Sequence, residues 1–338
     1  MNKTITKPRI EWVDVMRALA MILVLLAHYN GGRLSIIANR ACVQTFFFIS
    51  GMFAFTGKYT IPQYLKRQLK GILMPYFIFA VINVVFHVIF NQITVVKAVL
   101  ELFKGFILAK RNETLVAAMW FLPCLFITSI VYKLIADAFK KQKYILAVCF
   151  AVSAVFKVFF EDPVYIFSLN QGFKYLIYFA IGNALYPYLK NISSFSFKKL
   201  DNRYKLAFIA FLIFDCWYIY LLYKRGYVLW PQPIWALAVV YFLNVVMCII
   251  LLLIVSVTLS RCKPLVWVGR NTIGFCCLEN ISRALLNYAM AMVGFGFVPD
   301  NEIKALVHVV GAMCVGSVII LAINIVCPQL FGKSKTRK

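Results

Sequence analysis

Charged side chains are scarce in this chain of 338 residues, and acidic ones are the scarcest. Charged residues make up 14% of the sequence, with 12 Asp and Glu against 36 Lys and Arg, whereas 63% of the residues are hydrophobic. A soluble domain is close to half apolar and about a quarter charged. The composition therefore excludes an ordinary soluble domain. It predicts an all-α, polytopic membrane helix bundle that occupies residues 1–338 as a single domain.

Other common features are missing as well. The ten cysteines form no Cys-x-x-Cys pair and lie mostly in apolar segments, as small hydrophobic residues do. We therefore expect no metal site and no disulfide framework. The sequence has no internal repeat and no low-complexity segment. Its first apolar segment is too long and too charged for a signal peptide, so we interpret it as an uncleaved first span.

Apolar segments long enough to cross a bilayer recur along the chain, since a spanning helix needs about 20 residues. We predict about ten spans, at residues 10–29, 40–57, 72–91, 118–136, 144–160, 173–189, 204–223, 234–258, 266–293 and 305–327. Residues 92–117 mix charged and apolar side chains, which predicts an amphipathic segment on the membrane surface. The ninth span is longer than a bilayer requires, and we expect it to be tilted or broken near Gly294 and Gly296.

Lys and Arg residues concentrate in alternate connecting segments, beginning with the N-terminal tail. Because short cytoplasmic loops are enriched in these residues, we predict that both termini are cytoplasmic. The net charge of +24 then reflects topology signals and contacts with anionic lipids of the bilayer. Nucleic acid, the usual partner of a strongly basic soluble protein, is not an expected partner here.

The first span carries three ionisable side chains on one helix face. At about 100° per residue, Asp14, Arg17 and His28 lie within a sector of roughly 60°, with Arg17 and His28 about 16 Å apart along the axis. A charge inside a spanning helix costs from about 2.5 kcal/mol and persists mainly where it faces a cavity. The stripe favours a catalytic or conducting cavity. Interfacial anchoring with a snorkelling arginine is the alternative interpretation.

Two further motifs follow the first span. The second span contains Ser50 and Gly51 in an aromatic run, where the small residues allow another helix or a thin ligand to approach the backbone. Arg67 and Lys70 lie three residues apart in a short basic segment. Such paired cations can bind phosphate groups. They can equally bind lipid head groups or set the topology.

In their order and spacing these motifs resemble the acyltransferase-3 family of integral-membrane O-acyltransferases, which acetylate bacterial surface polysaccharides and exported sugars. The resemblance covers most of the chain and is strongest near its beginning. It rests on Trp12, Asp14, Arg17 and His28, then Phe47, Phe48, Ser50 and Gly51, Arg67 with Lys70 in place of a second Arg, Pro75 and Tyr76, Trp120 to Leu122, Tyr178, Phe179 and Gly182, and Val268 to Thr272. Many relatives carry a His shortly after that last segment, where this chain has Glu279 and Asn280.

The resemblance implies acyl transfer to a sugar hydroxyl of a surface polysaccharide or lipid-linked glycan, at the bacterial cytoplasmic membrane. Acetyl-CoA would be the donor substrate, and no permanently bound cofactor is expected. Because a histidine has an unperturbed pKa of about 6.5, His28 suits the removal of the hydroxyl proton. A transient acetyl group on His28 or Ser50 is the alternative route. Arg67 and Lys70 are expected to bind the CoA phosphates, and the pantetheine arm is expected to pass Arg17.

Other polar residues complete the candidate site. Asp14 is expected to pair with Arg17 one turn away, with a catalytic role as the alternative. Glu279 and Arg283 form a second possible pair in the ninth span, and both are candidates for lining the same cavity, together with Trp120. Asp215 in the seventh span has no evident partner in the sequence pattern.

Two other classes of function fit part of the pattern. A secondary transporter or exporter of a sugar or glycan would also carry charged residues at depth in about ten spans, although transporters often contain paired repeats and interrupted spans. A scaffold with inert charges is the third possibility. The missing repeat and the concentration of charges in one stripe and one cation pair favour the acyltransferase.

Overall fold

The computed structural model describes residues 9–28, 33–54, 56–90, 93–104, 119–160, 166–192, 201–225, 234–294 and 302–331. Within these ranges every regular element is helical, which confirms the all-α prediction for this part of the chain. The α-helices in chain order are α1 (Glu11–Ala27), α2 (Arg33–Ala38), α3 (Cys42–Met52), α4 (Ile61–Gln68), α5 (Met74–Phe90), α6 (Val95–Phe103), α7 (Phe121–Ala138), α8 (Gln142–Phe159), α9 (Leu169–Leu189), α10 (Asn202–Arg225), α11 (Ile234–Thr258), α12 (Lys263–Arg270), α13 (Thr272–Met292) and α14 (Glu302–Val326).

A helix occupies the position of each predicted span, and six stretches among the described residues are long and apolar enough to cross a membrane. These six are Arg33–Met52, Ile61–Phe90, Phe121–Ala138, Gln142–Phe159, Ala238–Thr258 and Glu302–Val326. The chain is therefore built as a multi-pass membrane protein. The count of ten spans and the cytoplasmic location of both termini stay predictions.

The predicted ninth span consists of two helices that meet at Asn271. This residue leaves helical geometry, with φ −117° and ψ 16°. Its side chain stabilises the interruption, since Nδ2 donates to the Trp267 carbonyl at 2.8 Å and Oδ1 accepts from Asn324 Nδ2 at 3.1 Å. The sequence pattern did not predict this interruption at Asn271, and the expected tilt of the span stays a prediction. Gly294 follows the end of α13, with φ 77°, and Gly296 lies outside the described residues.

Helices α3 and α9 pack with their backbones in direct contact. A Cβ built on Gly51 would lie 1.9 Å from the carbonyl oxygen of Phe179, and one on Gly182 would lie 1.9 Å from that of Phe48. Asn183 Nδ2 also donates to the Gly51 carbonyl at 3.0 Å. The small residue after Ser50 therefore admits a neighbouring helix, which was one of the two predicted uses of this motif.

The predicted surface segment is described only in part, because residues 105–118 lie outside the described residues. Its first part is α6, which begins after Thr94, whose hydroxyl accepts from the Lys97 amide at 3.4 Å. One face of α6 is apolar and exposed, while Lys104 and Glu101 form an ion pair at 3.4 Å. This amphipathic pattern is the one that interfacial helices have, and the membrane-surface location stays a prediction.

The buried carboxylate of Asp215 in α10 has a partner that the sequence pattern did not indicate. Asn244 of α11 donates its Nδ2 hydrogen to Asp215 Oδ1, and both side chains are almost completely buried. The contact joins two consecutive helices through residues 29 positions apart, a separation to which no helical spacing rule applies.

We predict that Gly51→Ala and Gly182→Ala each destabilise the fold by about 3 kcal/mol or more, because the new methyl group would meet a backbone carbonyl that cannot move without bending a helix. Thermal unfolding of the purified protein in detergent would measure the loss. Gly57→Ala is the matched control, since a Cβ at Gly57 has no atom within 4 Å. Unfolding temperatures for the two helix variants equal to that of the control would contradict this account of the packing.

Candidate functional site

A cavity of about 410 Å³ lies between α1, α3, α4, α7 and the junction of α12 with α13. Five of the candidate residues line it: Arg17, His28, Ser50, Arg67 and Trp120. The other four, Asp14, Lys70, Glu279 and Arg283, are not among the lining residues. These five residues come from four segments of the chain: α1, α3, α4 and the residue before α7.

One face of α1 forms a long wall of this cavity. Arg17, Met21, Val24 and His28 all line it, and their spacing of four, three and four residues is that of a single helix face. Two of the three residues of the predicted stripe, Arg17 and His28, thus face a cavity of the protein. Arg17 lies toward the start of the wall and His28 at its end, where α1 terminates.

The Asp14 carboxylate holds three arginines beside the Arg17 end of the cavity. Its oxygens lie 2.9 Å from Arg9 Nε, 3.2 Å from a terminal nitrogen of Arg17 and 3.3 Å from Arg270 Nε. The Asp14 side chain is 1% exposed, and the three arginines line the cavity. The predicted pair of Asp14 and Arg17 is therefore present, but as part of a larger group that we call the Asp14 cluster (Asp14, Arg9, Arg17 and Arg270).

A close backbone contact brings Arg270 to Asp14. A Cβ built on Gly269 would lie 1.7 Å from the carbonyl oxygen of Asp14, so only glycine allows α12 to approach α1 at this point. Arg270 is the next residue, in the last turn of α12. Its positive charge is favourable there because the end of a helix carries a partial negative charge.

The predicted cation pair of Arg67 and Lys70 is divided by the structure. Arg67 lines the cavity, and its guanidinium lies 5.2 Å from the centre of the Tyr59 ring. The chain then forms a π-helical turn from Leu69 to Leu73, so Lys70 does not follow Arg67 at the spacing of an α-helix. Gly71 lines the cavity instead, and Lys70 is exposed.

His28 forms a contact with Glu279 at the other end of the cavity. His28 Nδ1 lies 2.6 Å from Glu279 Oε1, and a terminal nitrogen of Arg283 lies 3.6 Å from the same oxygen. Glu279 is 1% exposed and has the arginine as its cationic neighbour. In the neutral tautomer that donates Nδ1–H to this oxygen, His28 keeps a lone pair on Nε2.

The sequence pattern missed three features of this site. It treated Arg9 and Arg270 as topology signals, and it paired Glu279 with Arg283 but not with His28. The signal that could have revealed Arg270 is the Gly before it, since a glycine beside a cation in a short helix marks a close backbone approach. No local signal links His28 to Glu279, because 251 positions separate them.

The cavity has two chemically different ends. Three arginines bound to Asp14 line one end (Arg9, Arg17 and Arg270), and a histidine with a buried carboxylate partner lines the other. A fourth arginine, Arg67, also lines the cavity. Such a cavity can hold a ligand with an anionic part and a part that undergoes proton transfer. Among the described residues, no group of three or more His, Cys, Asp or Glu could hold a metal ion.

The chain matches the model of a known protein family. The model of the acyltransferase-3 family, described as an acyltransferase domain, matches residues 10–325, which is nearly the whole chain. No curated protein matches the chain, and no solved structure does.

We predict that Asp14→Asn lowers the free energy of unfolding by roughly 2–3 kcal/mol, because the neutral side chain leaves three neighbouring guanidinium groups without their shared counter-charge. Thermal unfolding in detergent would measure it. Glu11→Gln is the control, since it removes an exposed carboxylate from the first turn of the same helix. Equal unfolding temperatures for the two variants would show that the Asp14 cluster contributes nothing to stability.

Proposed function

The chain belongs to the acyltransferase-3 family and is an acyltransferase, and we propose that it transfers an acetyl group from acetyl-CoA to a sugar hydroxyl. The acceptor would be a surface polysaccharide or a lipid-linked sugar, and the enzyme would act in the cytoplasmic membrane of a bacterium. Family membership favours this enzyme over the transporter and the scaffold that the sequence pattern also left open.

The observation that carries the proposal is the contact of His28 with Glu279 at one end of the cavity. His28 Nδ1 lies 2.6 Å from Glu279 Oε1, and in the tautomer that donates Nδ1–H to this oxygen, Nε2 keeps the lone pair that accepts a proton. A terminal nitrogen of Arg283 lies 3.6 Å from that carboxylate, so the buried acid also has a guanidinium neighbour. A base held in one tautomer by a buried acid is the arrangement that general-base catalysis requires.

The reaction then balances with the residues of this end. His28 Nε2 takes the proton of the sugar hydroxyl while the oxygen forms a bond to the thioester carbonyl carbon. The tetrahedral intermediate collapses, the carbon–sulfur bond breaks, and the CoA thiolate leaves and takes the proton from the imidazolium. Glu279 stabilises the imidazolium that exists between these two steps.

A covalent relay is the second route to the same product. His28 and Ser50 both line the cavity, and a transient acetyl group on either side chain, passed on to the sugar hydroxyl, is the alternative to direct transfer. Isolation of an acetylated peptide containing Ser50 after brief exposure to acetyl-CoA would favour the relay over direct transfer.

The length of the cavity suits an extended donor. Arg17 and His28 are about 16 Å apart along α1, and apolar side chains such as Met21 and Val24 line the wall between them. A thin pantetheine arm could follow this wall with its phosphates among the arginines and its thioester at His28. The donor would enter from the cytoplasm if the predicted topology is correct, and the acceptor would approach from the opposite side.

The proposal is tested by label transfer. We expect membranes containing the protein to move radiolabel from acetyl-CoA into a glycan fraction, and we expect His28→Ala to reduce the rate by at least about 100-fold because the base is lost. Mass spectrometry of surface glycans from cells with and without the gene would identify the acceptor.

His87→Ala is the control for this variant, because His87 lies in α5 and does not line the cavity. Both variants must be present in the membrane at the wild-type level. Full acetylation by His28→Ala would exclude the base role, and the absence of any transfer by the wild-type protein would count against acetyl-CoA as donor.

Glu279 gives a separate prediction. Glu279→Gln should lower the rate of transfer about 100-fold with little change in the KM for acetyl-CoA, because the amide no longer stabilises the imidazolium or selects one tautomer. Asp215→Asn is the matched control, since it neutralises a buried carboxylate that contacts Asn244 and does not line the cavity. An equal fall in rate for both variants would mean that the loss reflects a damaged fold and not the orientation of His28.

A further inference from the structure

We propose that the Asp14 cluster is an anion site that binds a phosphate group of the acyl donor, separate from the one that Arg67 provides. The inference rests on the proposed function for the identity of the donor. It assigns binding roles to Arg9 and Arg270, for which the sequence pattern predicted none. It also gives Asp14 a role as the residue that positions them.

The Asp14 cluster carries an excess of positive charge. One carboxylate faces three guanidinium groups, at 2.9, 3.2 and 3.3 Å, so the group has a net charge of about +2. Each guanidinium has five N–H donors, far more than the two oxygens of Asp14 can accept. The remaining donors and the excess charge favour a further anion with several oxygens, which is the chemistry of a phosphate group.

The arginines of the Asp14 cluster are accessible to a ligand. The side chains of Arg9 and Arg270 are 54% and 44% exposed, and that of Arg17 is 27% exposed, while the Asp14 carboxylate is 1% exposed. A ligand can therefore reach the guanidinium groups without removing Asp14 from them. All three arginines line the cavity that ends at His28.

Contacts within the protein hold these arginines in place before a ligand binds. The chain holds Arg270 against Asp14 through the Gly269 contact, where a Cβ would lie 1.7 Å from the Asp14 carbonyl oxygen. Asp14 also fixes Arg17 and Arg9, which come from its own helix and from the residues just before it. Long side chains lose less entropy on binding when a neighbour already orders them. A topology signal would need none of this order.

The cations of the cavity match the anionic groups of the proposed donor. Coenzyme A carries two separate anionic groups, a diphosphate and a 3′-phosphate on its ribose. The cavity has cations on different helices: the Asp14 cluster on α1 and α12, and Arg67 on α4, which is not bound to Asp14. Lys70 does not line the cavity, so Arg67 has no second cation from its own helix there. The Asp14 cluster supplies the second site that such a donor needs.

The experiment measures the affinity of the full-length protein for three probes: CoA, dephospho-CoA, which lacks the 3′-phosphate, and pantetheine, which lacks all phosphates. The protein is held in nanodiscs of neutral lipid and compared with nanodiscs that contain anionic phosphatidylglycerol. The variants are Arg9→Gln and Arg270→Gln, which keep Asp14 paired with Arg17. Arg261→Gln and Lys66→Gln are the controls, since both residues are exposed, basic and outside the cavity lining.

We expect Arg270→Gln and Arg9→Gln to weaken CoA binding about tenfold each, as the loss of a charge-assisted hydrogen bond would, with pantetheine binding unchanged. If dephospho-CoA then binds as it does to the wild-type protein, the cluster holds the 3′-phosphate. If dephospho-CoA weakens equally, the cluster holds the diphosphate. Either result supports the proposal, and the controls should bind all three probes normally.

Three outcomes would overturn it. Normal CoA binding by both variants, with binding weakened by Arg67→Gln, would leave the proposed acyl transfer intact and remove only the second anion site. An effect of Arg270→Gln that is seen only with phosphatidylglycerol would assign the cluster to a lipid head group. A wild-type protein that binds no CoA at all would reject both this site and the donor.

Discussion

One buried carboxylate among three cations is the interaction on which the site depends. Asp14 is 1% exposed, and a buried carboxylate is tolerated only when it is paired and hydrogen-bonded. Its three arginine partners come from the segment before α1, from α1 itself and from α12. The pairing therefore fixes the position of α12 relative to α1 and gives one end of the cavity its positive charge. The same contacts that position these helices therefore place an excess of positive charge beside the cavity.

The opposite end of the cavity uses the same device with a different result. Glu279 is as deeply buried as Asp14, but its partners are one histidine and one arginine. A carboxylate with three arginines leaves an excess of positive charge, whereas a carboxylate with His28 and Arg283 leaves a nitrogen that can accept a proton. Two buried acids, Asp14 in α1 and Glu279 in α13, thus give the two ends of one cavity different chemistry.

Features that repeat along one helix could be predicted from the sequence, whereas contacts between distant segments could not. The helical period was enough to place Arg17 and His28 on one face, and hydropathy was enough to locate the helices. Glu279 could not be matched to His28, because no local rule connects residues from the first and thirteenth helices. Lys70 was predicted to join Arg67 on the assumption of α-helical spacing, and the π-helical turn that begins at Leu69 removes that spacing.

The break at Asn271 explains how one segment can serve both ends of the cavity. Gly269 lies against Asp14, and ten residues later Glu279 contacts His28, fourteen residues further along α1. At 1.5 Å per residue the two stretches differ by about 6 Å in helix length. In a single straight helix parallel to α1, placing Gly269 beside Asp14 would leave Glu279 about 6 Å short of His28 along the axis. With the interruption at Asn271, α12 packs against Asp14 through Gly269 and the following helix α13 carries Glu279 to His28, so each end of the cavity is positioned by its own helix.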